Sequence, residues 1–544
     1  MKHRHEIIVT LLAGCVFAGS AFATASTTAP ATAPTTAPAP APAGSFSIGV
    51  DRITPPMITV SSAPVTVHVS AIGLATQPAD WLNETYRWNF GDVTGATQPA
   101  IDPRTQQPVD LNTAIAAPVA AYLYESPGVY AITLTRITAA GEIRTYACSI
   151  TVPVPKRNVY YIASTGDDSA SGVDPTRALR TAAAAVRRVA DHTELRFQRG
   201  GVFAIDHAID LTHRDVVLDC YGDPSLPLPV IYRVAAASPA TTQTTQATQP
   251  ATMTTTSPTA GPFVNTWPGK TADVTIRHLR FDSPYAIAHA GAYLYHTPAA
   301  YFGFLRGKNV TIADCEFANV FEGPHGDQTL SGALFLRNRQ VQVLGIPGRT
   351  LWLEGSDIVA IGNIATNSIN ESPIRAADTG VVRGVIAFND IAQQLDAIEG
   401  RGGAKAAMTL RSLRDVQVCA NHIANGELSF DPHTGDAFDQ NVLTADNVIH
   451  NSVLRVRPNC RSAIFRNNAI DIAGGPCICV TNGDGVAMWN ADVRIEDNRG
   501  QGWQSNGRMF LIDPCPPAAM RNCSMDAGKN AYTRIAPPPP PVAP

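Results

Sequence analysis

Two segments of the chain place a histidine among carboxylates in a matching order. Residues 321–327 read FEGPHGD, and residues 430–436 read FDPHTGD with Asp439 close behind. An imidazole can exchange protons near neutral pH, while carboxylates can bind calcium or act as acid and base. The candidate catalytic residues are His325, Asp327, His433 and Asp436, and the candidate calcium ligands are Glu322, Asp431 and Asp439. The alternative is that proline, glycine and aspartate only form turns here and leave each histidine exposed.

A third segment, residues 396–405 (DAIEGRGGAK), carries isolated positive charges. Lys405 is one of six lysines in the chain and comes directly before residues 406–410, which have the composition of a strand. A lysine can abstract a proton beside a carboxylate, so Lys405 is a further catalytic candidate. Arg401 is a candidate for binding an acidic substrate, because a guanidinium pairs well with a carboxylate. The alternative is that both are solvated loop charges.

Residues 282–307 hold six aromatic side chains, and among them Tyr293, Tyr295 and Tyr301 are the candidate substrate-binding residues. Aromatic rings present apolar faces on which sugar rings can stack. The alternative is that these rings pack the long segment against the rest of the fold.

The elements that must position these residues form a repeat. Two apolar residues, one position apart, precede a recurring slot, as Val416 and Val418 precede Asn421. The slot residues are Leu279, Cys315, Asn338, Asn363, Asn389, Asn421, Asn447, Asn468 and Asn498. Their intervals vary from 21 to 36 residues, which suits coiled parallel strands with loops of free length. Asparagine suits a sharp bend because it tolerates the left-handed conformation and because its side chain can satisfy local backbone groups. Asparagines stacked one turn apart can also hydrogen-bond along the coil.

Residues 159–186 (VYYIASTGDDSASGVDPTRALRTAAAAV) open this region with a strand, a Gly-Asp-Asp turn, a proline and a helix signal. Together with the asparagine slots they resemble the pectate-lyase-like family over residues 158–512. The resemblance implies a right-handed parallel β-helix with a capping helix over residues 182–190, begun by Thr181. It also implies a site on one outer sheet that binds an acidic polysaccharide and cleaves it by β-elimination or hydrolysis, with calcium as the cofactor of the lyases.

Residues 45–155 alternate apolar and polar side chains, which is the pattern of half-buried strands. Between the alternating stretches stand residues 88–92 (WNFGD) and residues 124–130 (YESPGVY). The two motifs resemble the hallmarks of a PKD domain, although Asn89 replaces the usual aspartate and no glycine follows Asp92. The resemblance implies an immunoglobulin-like β-sandwich that acts as a spacer or as a sugar- or protein-binding module.

The remaining segments complete the predicted organisation. Residues 1–25 have the basic start, apolar run and small residues of a signal peptide, and residues 12–15 (LAGC) offer the alternative of a lipoprotein modified at Cys15. Residues 26–44 are an Ala/Thr/Pro-rich linker, residues 236–261 a disordered insertion and residues 536–544 a Pro-rich tail. The PKD-like sandwich then covers residues 45–155, and the β-helix covers residues 156–535. The expected location is secreted, periplasmic or at the cell surface.

Composition excludes several classes of function. The formal net charge is −4 and charged residues make up 16% of the chain, so no basic surface for nucleic acid is indicated. No apolar stretch beyond the signal peptide is long enough to span a bilayer. The sequence therefore predicts an exported monomer that binds an acidic polysaccharide or cell-surface glycan and, as an enzyme, cleaves it as a lyase or hydrolase. The alternative is a non-catalytic surface or adhesion protein in which the PKD-like domain is a spacer.

Overall fold

The computed structural model describes residues 47–48, 57–75, 77, 79–94, 99–233, 262–267, 271–282, 301–320, 322–342, 349–368, 372–393, 406–432, 438–457, 459–480, 490–502, 504, 506–512, 520–521, 523–525 and 529–535. All of them belong to one compact unit, residues 43–544. The predicted signal peptide, linker, insertion and tail lie outside the described residues. In the part of the chain that the structure describes, no helix is long and apolar enough to cross a membrane.

Most of the chain winds as a parallel β-helix with three faces, which we call A, B and C. Four long strands serve two faces at once, because each bends between a first half on face C and a second half on face A. They are Tyr301–Ala313, Glu322–Leu336, Leu351–Ile361 and Ile374–Ala387. Gly307 (φ 99°) and Gly355 (φ 116°) lie at such bends, where the pairing register shifts. Only glycine adopts these angles without strain.

Each turn of the coil runs from face A through face B to face C. Besides the long strands, face A contains Asn158–Ile162, Thr193–Gln198, Arg214–Tyr221, Ala272–Arg277, Arg414–Cys419, Asp439–Ala445, Cys460–Arg466, Asn490–Glu496, Met520–Arg521 and Ser524–Met525. Face B contains Val202–Ile205, Val230–Arg233, Arg280–Asp282, Glu316–Ala318, Arg339–Gln342, Ile364–Ser368, Asp390–Gln393, His422–Ala424, Val448–His450, Ala469–Asp471, Arg499–Gly502 and Ala531–Arg534. Face C contains Ile209–Asp210, Val264–Asn265, Met408–Leu410, Leu428–Phe430, Leu454–Val456, Pro476–Val480 and Arg508–Ile512.

The predicted asparagines form a continuous column at the corner between faces A and B. The Nδ2 atom of each donates to Oδ1 of the next at 2.9 to 3.0 Å, from Asn338 as far as Asn530. All of these side chains are buried. The prediction that they stack along the coil is confirmed, and Cys315 continues the column at its start, where its backbone N–H donates to Oδ1 of Asn338. The sequence reading missed the last member, Asn530.

The left-handed residue of each bend is not the asparagine but the residue before it. Arg337 (φ 52°), Phe388 (φ 56°) and Ala420 (φ 56°) each precede a column asparagine. The prediction that the asparagine itself adopts this conformation was wrong. The side chain instead satisfies buried backbone groups, as at Asn421, where Nδ2 donates to the carbonyl of Ile386 at 2.9 Å.

The chain before the coil forms two small sheets with a common core. One contains Ser47–Ile48, Val65–Ser70 and Val119–Tyr124, the other contains Met57–Thr59, Thr85–Asn89, Gly128–Ile137 and Ile143–Val152, and Ala100–Asp102 pairs with Gln107–Val109. Trp88, Phe90 and Leu134 are buried between the sheets. We call this part the N-terminal sheets; their assignment as a PKD-like sandwich stays a prediction.

The core of the N-terminal sheets continues into face A of the coil. Outward residues of face A, such as Leu334 and Ile361, are buried in the same apolar cluster as the N-terminal strands. Polar contacts reinforce the packing: the hydroxyls of Thr66 and Thr311 lie 2.5 Å apart. Because face A would otherwise expose apolar side chains to water, the N-terminal sheets act as its cover.

His68 lies inside this interface and is 4% exposed. Within the described residues neither of its ring nitrogens makes a hydrogen bond. Burial lowers the pKa of His68 to about 4, against a smaller opposing effect of Asp357. The ring is therefore neutral at physiological pH, and it packs against Gly332, where a Cβ would stand 3.3 Å from Cδ2 of the histidine.

A short α-helix, Ala182–Val186, begins at the predicted residue: the hydroxyl of Thr181 accepts from the backbone N–H of Ala184 at 3.1 Å. It ends earlier than predicted, because tight turns after Val186 redirect the chain toward the next strand of face A. Its role as a cap over the end of the coil stays a prediction. Three 3-10 turns occupy Ile72–Leu74, Asp80–Asn83 and Pro175–Arg177.

Candidate functional site

Four consecutive strands of face C place one outward side chain each in a single column. The pairing aligns Phe304 with His325, His325 with Trp352 and Trp352 with Arg375. The residues on either side of Trp352 are fully buried in the core of the coil. Successive side chains of a strand point to opposite faces, so the tryptophan points outward. The column therefore collects side chains from four turns of the coil on its outer surface.

The rings of this column are stacked. His325 lies 4.3 Å from Trp352 between ring centroids, with only 12° between the planes, and Phe304 lies 4.4 Å from His325 on the other side. The guanidinium carbons of Arg349 and Arg375 stand 4.4 and 4.8 Å from the centroid of Trp352. A tryptophan ring attracts cations through its quadrupole. Trp352 thus holds two positive charges beside a histidine.

A buried carboxyl group completes one side of this arrangement. The indole N–H of Trp352 donates to Oε1 of Glu354 at 2.7 Å, and the hydroxyl of Thr379 donates to Oε2 at 3.2 Å. Glu354 is 6% exposed. Burial raises the pKa of Glu354 to about 7, although the hydrogen bond from Trp352 opposes the shift. Near neutral pH this carboxyl is therefore protonated about half the time and can donate a proton.

A second carboxylate contacts the imidazole of His325. Glu322 contacts Nδ1 of His325 through Oε1, and Arg349 approaches its Oε2 at 3.6 Å. Such a contact restrains the orientation of the imidazole. We call the following set the face C cluster: Glu322, His325, Arg349, Trp352, Glu354 and Arg375.

Asp327 lies next to the cluster but serves a different purpose. Its Oδ2 accepts from Arg306 at 2.9 Å, and its Oδ1 accepts from the backbone N–H of Thr329 at 3.0 Å. Burial pushes the pKa of Asp327 upward, but the hydrogen bonds of Thr329 and the charge of Arg306 outweigh it and hold the pKa below its usual value. Asp327 is therefore an anion that positions Arg306, whose guanidinium stacks 3.8 Å from the ring centroid of Trp267.

Tyr301 is a predicted substrate-binding residue, and its Cα pairs with that of Glu322 at the edge of the cluster. Burial raises the pKa of the Tyr301 phenol above its usual value. Six further predicted site residues lie outside the described residues: Tyr293, Tyr295, Arg401, Lys405, His433 and Asp436.

The three predicted calcium ligands do not come together. Glu322 and Asp431 both belong to face C, but four strand steps separate their turns, about 19 Å at roughly 4.8 Å a step. Asp431 accepts from Arg411 at 2.9 Å. Asp439 is fully buried and accepts from the backbone N–H of Leu413 at 2.8 Å, and burial raises its pKa to about 7. A single ion cannot bind all three, since calcium–oxygen distances are about 2.4 Å.

One group of possible metal ligands does meet elsewhere, on the strand Arg214–Tyr221 and just beyond the strand Ala272–Arg277. One ligand atom each of Asp219, Cys220 and His278 lies within 4.8 Å of the others. Both oxygens of Asp219 are already engaged, by Arg277 at 2.7 Å and by Nδ1 of His278 at 2.8 Å. Arg277 also pairs with Glu125 of the N-terminal sheets at 2.9 Å. We assign this group to the packing of those sheets on face A.

Comparison with known proteins gives a fold-level similarity only. No family model and no curated protein matches the chain. Among solved structures, the chain is 11% identical to the GH136 lacto-N-biosidase from Eubacterium ramulus, with a TM-score of 0.37 and coverage of 69% of this chain and 68% of that one. It is also 11% identical to the catalytic domain of a GH87 α-1,3-glucanase, with a TM-score of 0.39 and coverage of 87% and 92%. A pectate lyase matches at 11% identity, with a TM-score of 0.31 and coverage of 66% and 78%.

Sequence reasoning placed His325 and Glu322 in the site but missed Trp352, Glu354, Arg349 and Arg375. A signal was present: residues 351–354 read LWLE, in which leucines alternate with a tryptophan and a glutamate. In a coil whose leucines face inward, the residues between them must face outward on the same side. Aligning this segment with residues 322–326 would have brought the tryptophan beside the histidine.

Proposed function

We propose that this protein binds an acidic polysaccharide and cleaves it at the face C cluster by β-elimination. The observation that carries the proposal is Glu354, a buried carboxyl group with a pKa of about 7 that accepts from the indole N–H of Trp352. His325 and the guanidinium groups of Arg349 and Arg375 stack on the ring of that tryptophan. Perturbed carboxyl groups beside fixed charges are typical of catalytic sites. In this proposal each member of the cluster has a role.

The arginines supply recognition of the substrate anion. Arg375 and Arg349 are held over Trp352, and a guanidinium binds a carboxylate with two parallel hydrogen bonds. A uronate carboxylate bound there becomes a better electron sink, which acidifies the adjacent C5–H. Neutral sugars would lack this interaction.

The proton transfers follow from the two titratable groups. His325 is the base that takes the C5 proton; the electron pair left on carbon forms the C4–C5 double bond, and the C4–O bond to the leaving sugar breaks. Glu354 in its protonated form gives its proton to the leaving oxygen. Hydrolysis would need a second carboxylate to activate water, but Glu322 is engaged with His325 and Arg349.

The test compares Glu354→Gln and Arg375→Ala with the unchanged protein on polygalacturonate and alginate. Both variants should lose at least about a hundredfold in rate, the range for loss of a positioned acid or charge. An exposed glutamate of the N-terminal sheets provides the matched control, Glu142→Gln, which should retain full activity. Unsaturated uronate products identify elimination, and saturated reducing ends identify hydrolysis. Unchanged activity of Glu354→Gln would show that Glu354 is not the acid.

A non-catalytic glycan-binding protein is the second candidate. Two exposed aromatic rings favour it, because Trp267 is 64% and Phe304 48% exposed, which is unusual for apolar side chains of this size. In that case glycans bind, no product forms, and Trp267→Ala weakens binding while Glu354→Gln changes nothing.

We also propose that the coil is right-handed, that the N-terminal sheets are a PKD-like sandwich and that the protein is exported. Support for the second point comes from the two motifs: the hydroxyl of Tyr124 donates to the carbonyl of Phe90 at 2.7 Å, and the indole of Trp88 donates to the carbonyl of Ala117 at 2.8 Å. The packing on face A makes such a domain a cover for the coil rather than a free spacer.

A further inference from the structure

A cavity of about 930 Å³ lies beside the face C cluster, toward the start of the coil. Its lining comes from five successive turns, and the residues that matter here are His213, Arg214, Trp267, Arg306 and Lys308. Cα pairing places Arg214 opposite Ala272 and Ala272 opposite Lys308, so two cationic side chains lie in one column, about 10 Å apart over two strand spacings. The cavity is as large as those that bind several sugar-sized groups.

The charge of this cavity is positive although the chain as a whole is negative. Arg214 and Lys308 line it, Arg306 lines it as the partner of Asp327, and Asp191 is the one carboxylate of the lining. Asp191 accepts from the backbone N–H of Arg214 at 2.9 Å, so it fixes the backbone there. Within the described residues, no ion pair involves Arg214 or Lys308. Both side chains are exposed, and they present unneutralised charge.

An exposed indole adds a platform for a ring. Trp267 is 64% exposed, and the guanidinium of Arg306 lies 3.8 Å from its ring centroid. Asn265 holds the backbone of Trp267, since its Oδ1 accepts from that residue's N–H at 3.1 Å. A fixed, exposed aromatic ring beside cations suits the apolar face of a sugar whose carboxylate or sulfate lies alongside.

The cavity and the cluster are connected by one ion pair. Arg306 lines the cavity and pairs with Asp327, and Thr329, which donates to Asp327, lines the cavity as well. The strand that carries Asp327 also carries His325 of the cluster. A polysaccharide bound in the cavity therefore extends along the coil toward the face C cluster.

We infer that this cavity is a binding subsite for the anionic sugar residues next to the bond that is cleaved. That the bound polymer runs from the cavity to the cleavage site rests on the proposed function. That anionic sugars bind in the cavity does not. The subsite recognises charge through Arg214 and Lys308 and ring shape through Trp267. Anionic chains long enough to reach both places should bind more tightly than short ones.

The test measures binding of oligogalacturonates and oligoalginates of graded length by calorimetry at low and high salt, with a neutral glucan as comparison. The double variant Arg214→Ala/Lys308→Ala should weaken binding of long anionic oligomers about tenfold, the effect of losing two charge contacts of about 0.7 kcal/mol each. Lys156→Ala, an exposed lysine before the first strand of the coil, is the matched control and should bind normally.

The outcomes separate the two proposals. Intact binding by the double variant, equal binding of neutral and anionic oligomers, or no binding of any anionic probe by the unchanged protein would overturn the subsite. If Glu354→Gln keeps activity while the double variant loses binding, the catalytic proposal fails and the subsite stands. A thermal melt of each variant, matched to that of the unchanged protein, shows that the loss is not unfolding.

Discussion

Replacing Asn421 with leucine should destabilise the coil by about 2–6 kcal/mol. The side chain is fully buried and makes four hydrogen bonds within the column: it donates to Ile386 O and Asn447 Oδ1, and it accepts from the backbone and side-chain N–H of Asn389. Two of the partners retain another bond, because Asn389 Nδ2 also donates to Ala360 O and Asn447 Oδ1 also accepts from the backbone N–H of residue 421. Two buried backbone groups are left unsatisfied, at about 1–3 kcal/mol each.

Leucine keeps the branched shape of asparagine but has a larger volume, so the change leaves no cavity, and overpacking adds to the loss of polar partners. The measurement is urea unfolding followed by circular dichroism, with hydrogen exchange of the amide of Asn389 as a local probe. Asn158→Leu is the control, since that asparagine is exposed at the edge of face A, and it should change stability by less than about 0.5 kcal/mol. Equal stability of the two variants would show that the column does not stabilise the bends.

Three further predictions concern pH and metal. The acid form of Glu354 is lost as pH rises through about 7, so cleavage should decline above that pH, and a flat profile would exclude this acid. His68 has a pKa of about 4 in the folded protein and about 6.5 in the unfolded chain. The free energy of unfolding should therefore fall by up to about 3 kcal/mol as the pH drops from 6.5 toward 4. Thermal melts should show that His68→Phe reduces this acid sensitivity. Since Glu322, Asp431 and Asp439 cannot share an ion, the alanine variant of Asp431 should leave any calcium dependence of activity unchanged, as assayed with and without a chelator.

The parallel coil could be predicted because its repeat is local. The apolar pair recurs from slot to slot, the asparagine recurs from Asn338 onward, and a buried amide at a bend has few substitutes. The left-handed residue could be predicted at only some bends. Gly362, Asp446, Asn467 and Asp497 are of types that favour this conformation, whereas Arg337, Phe388 and Ala420 share no side-chain property that marks it. The same limit applies to Glu354, whose raised pKa depends on burial by neighbours on other turns.

The three faces of the coil have different surroundings, and this explains where a site can lie. Face A has apolar outward residues such as Leu334 and Val385, and the N-terminal sheets cover them. Face C instead turns histidine, tryptophan and arginine outward, and these side chains stack on one another in the face C cluster. A cover on face A and a polar column on face C are therefore complementary solutions to one problem, the exposure of a long parallel sheet. Removing the N-terminal sheets should expose face A and promote aggregation, and it should do so even though none of the cluster residues belongs to them.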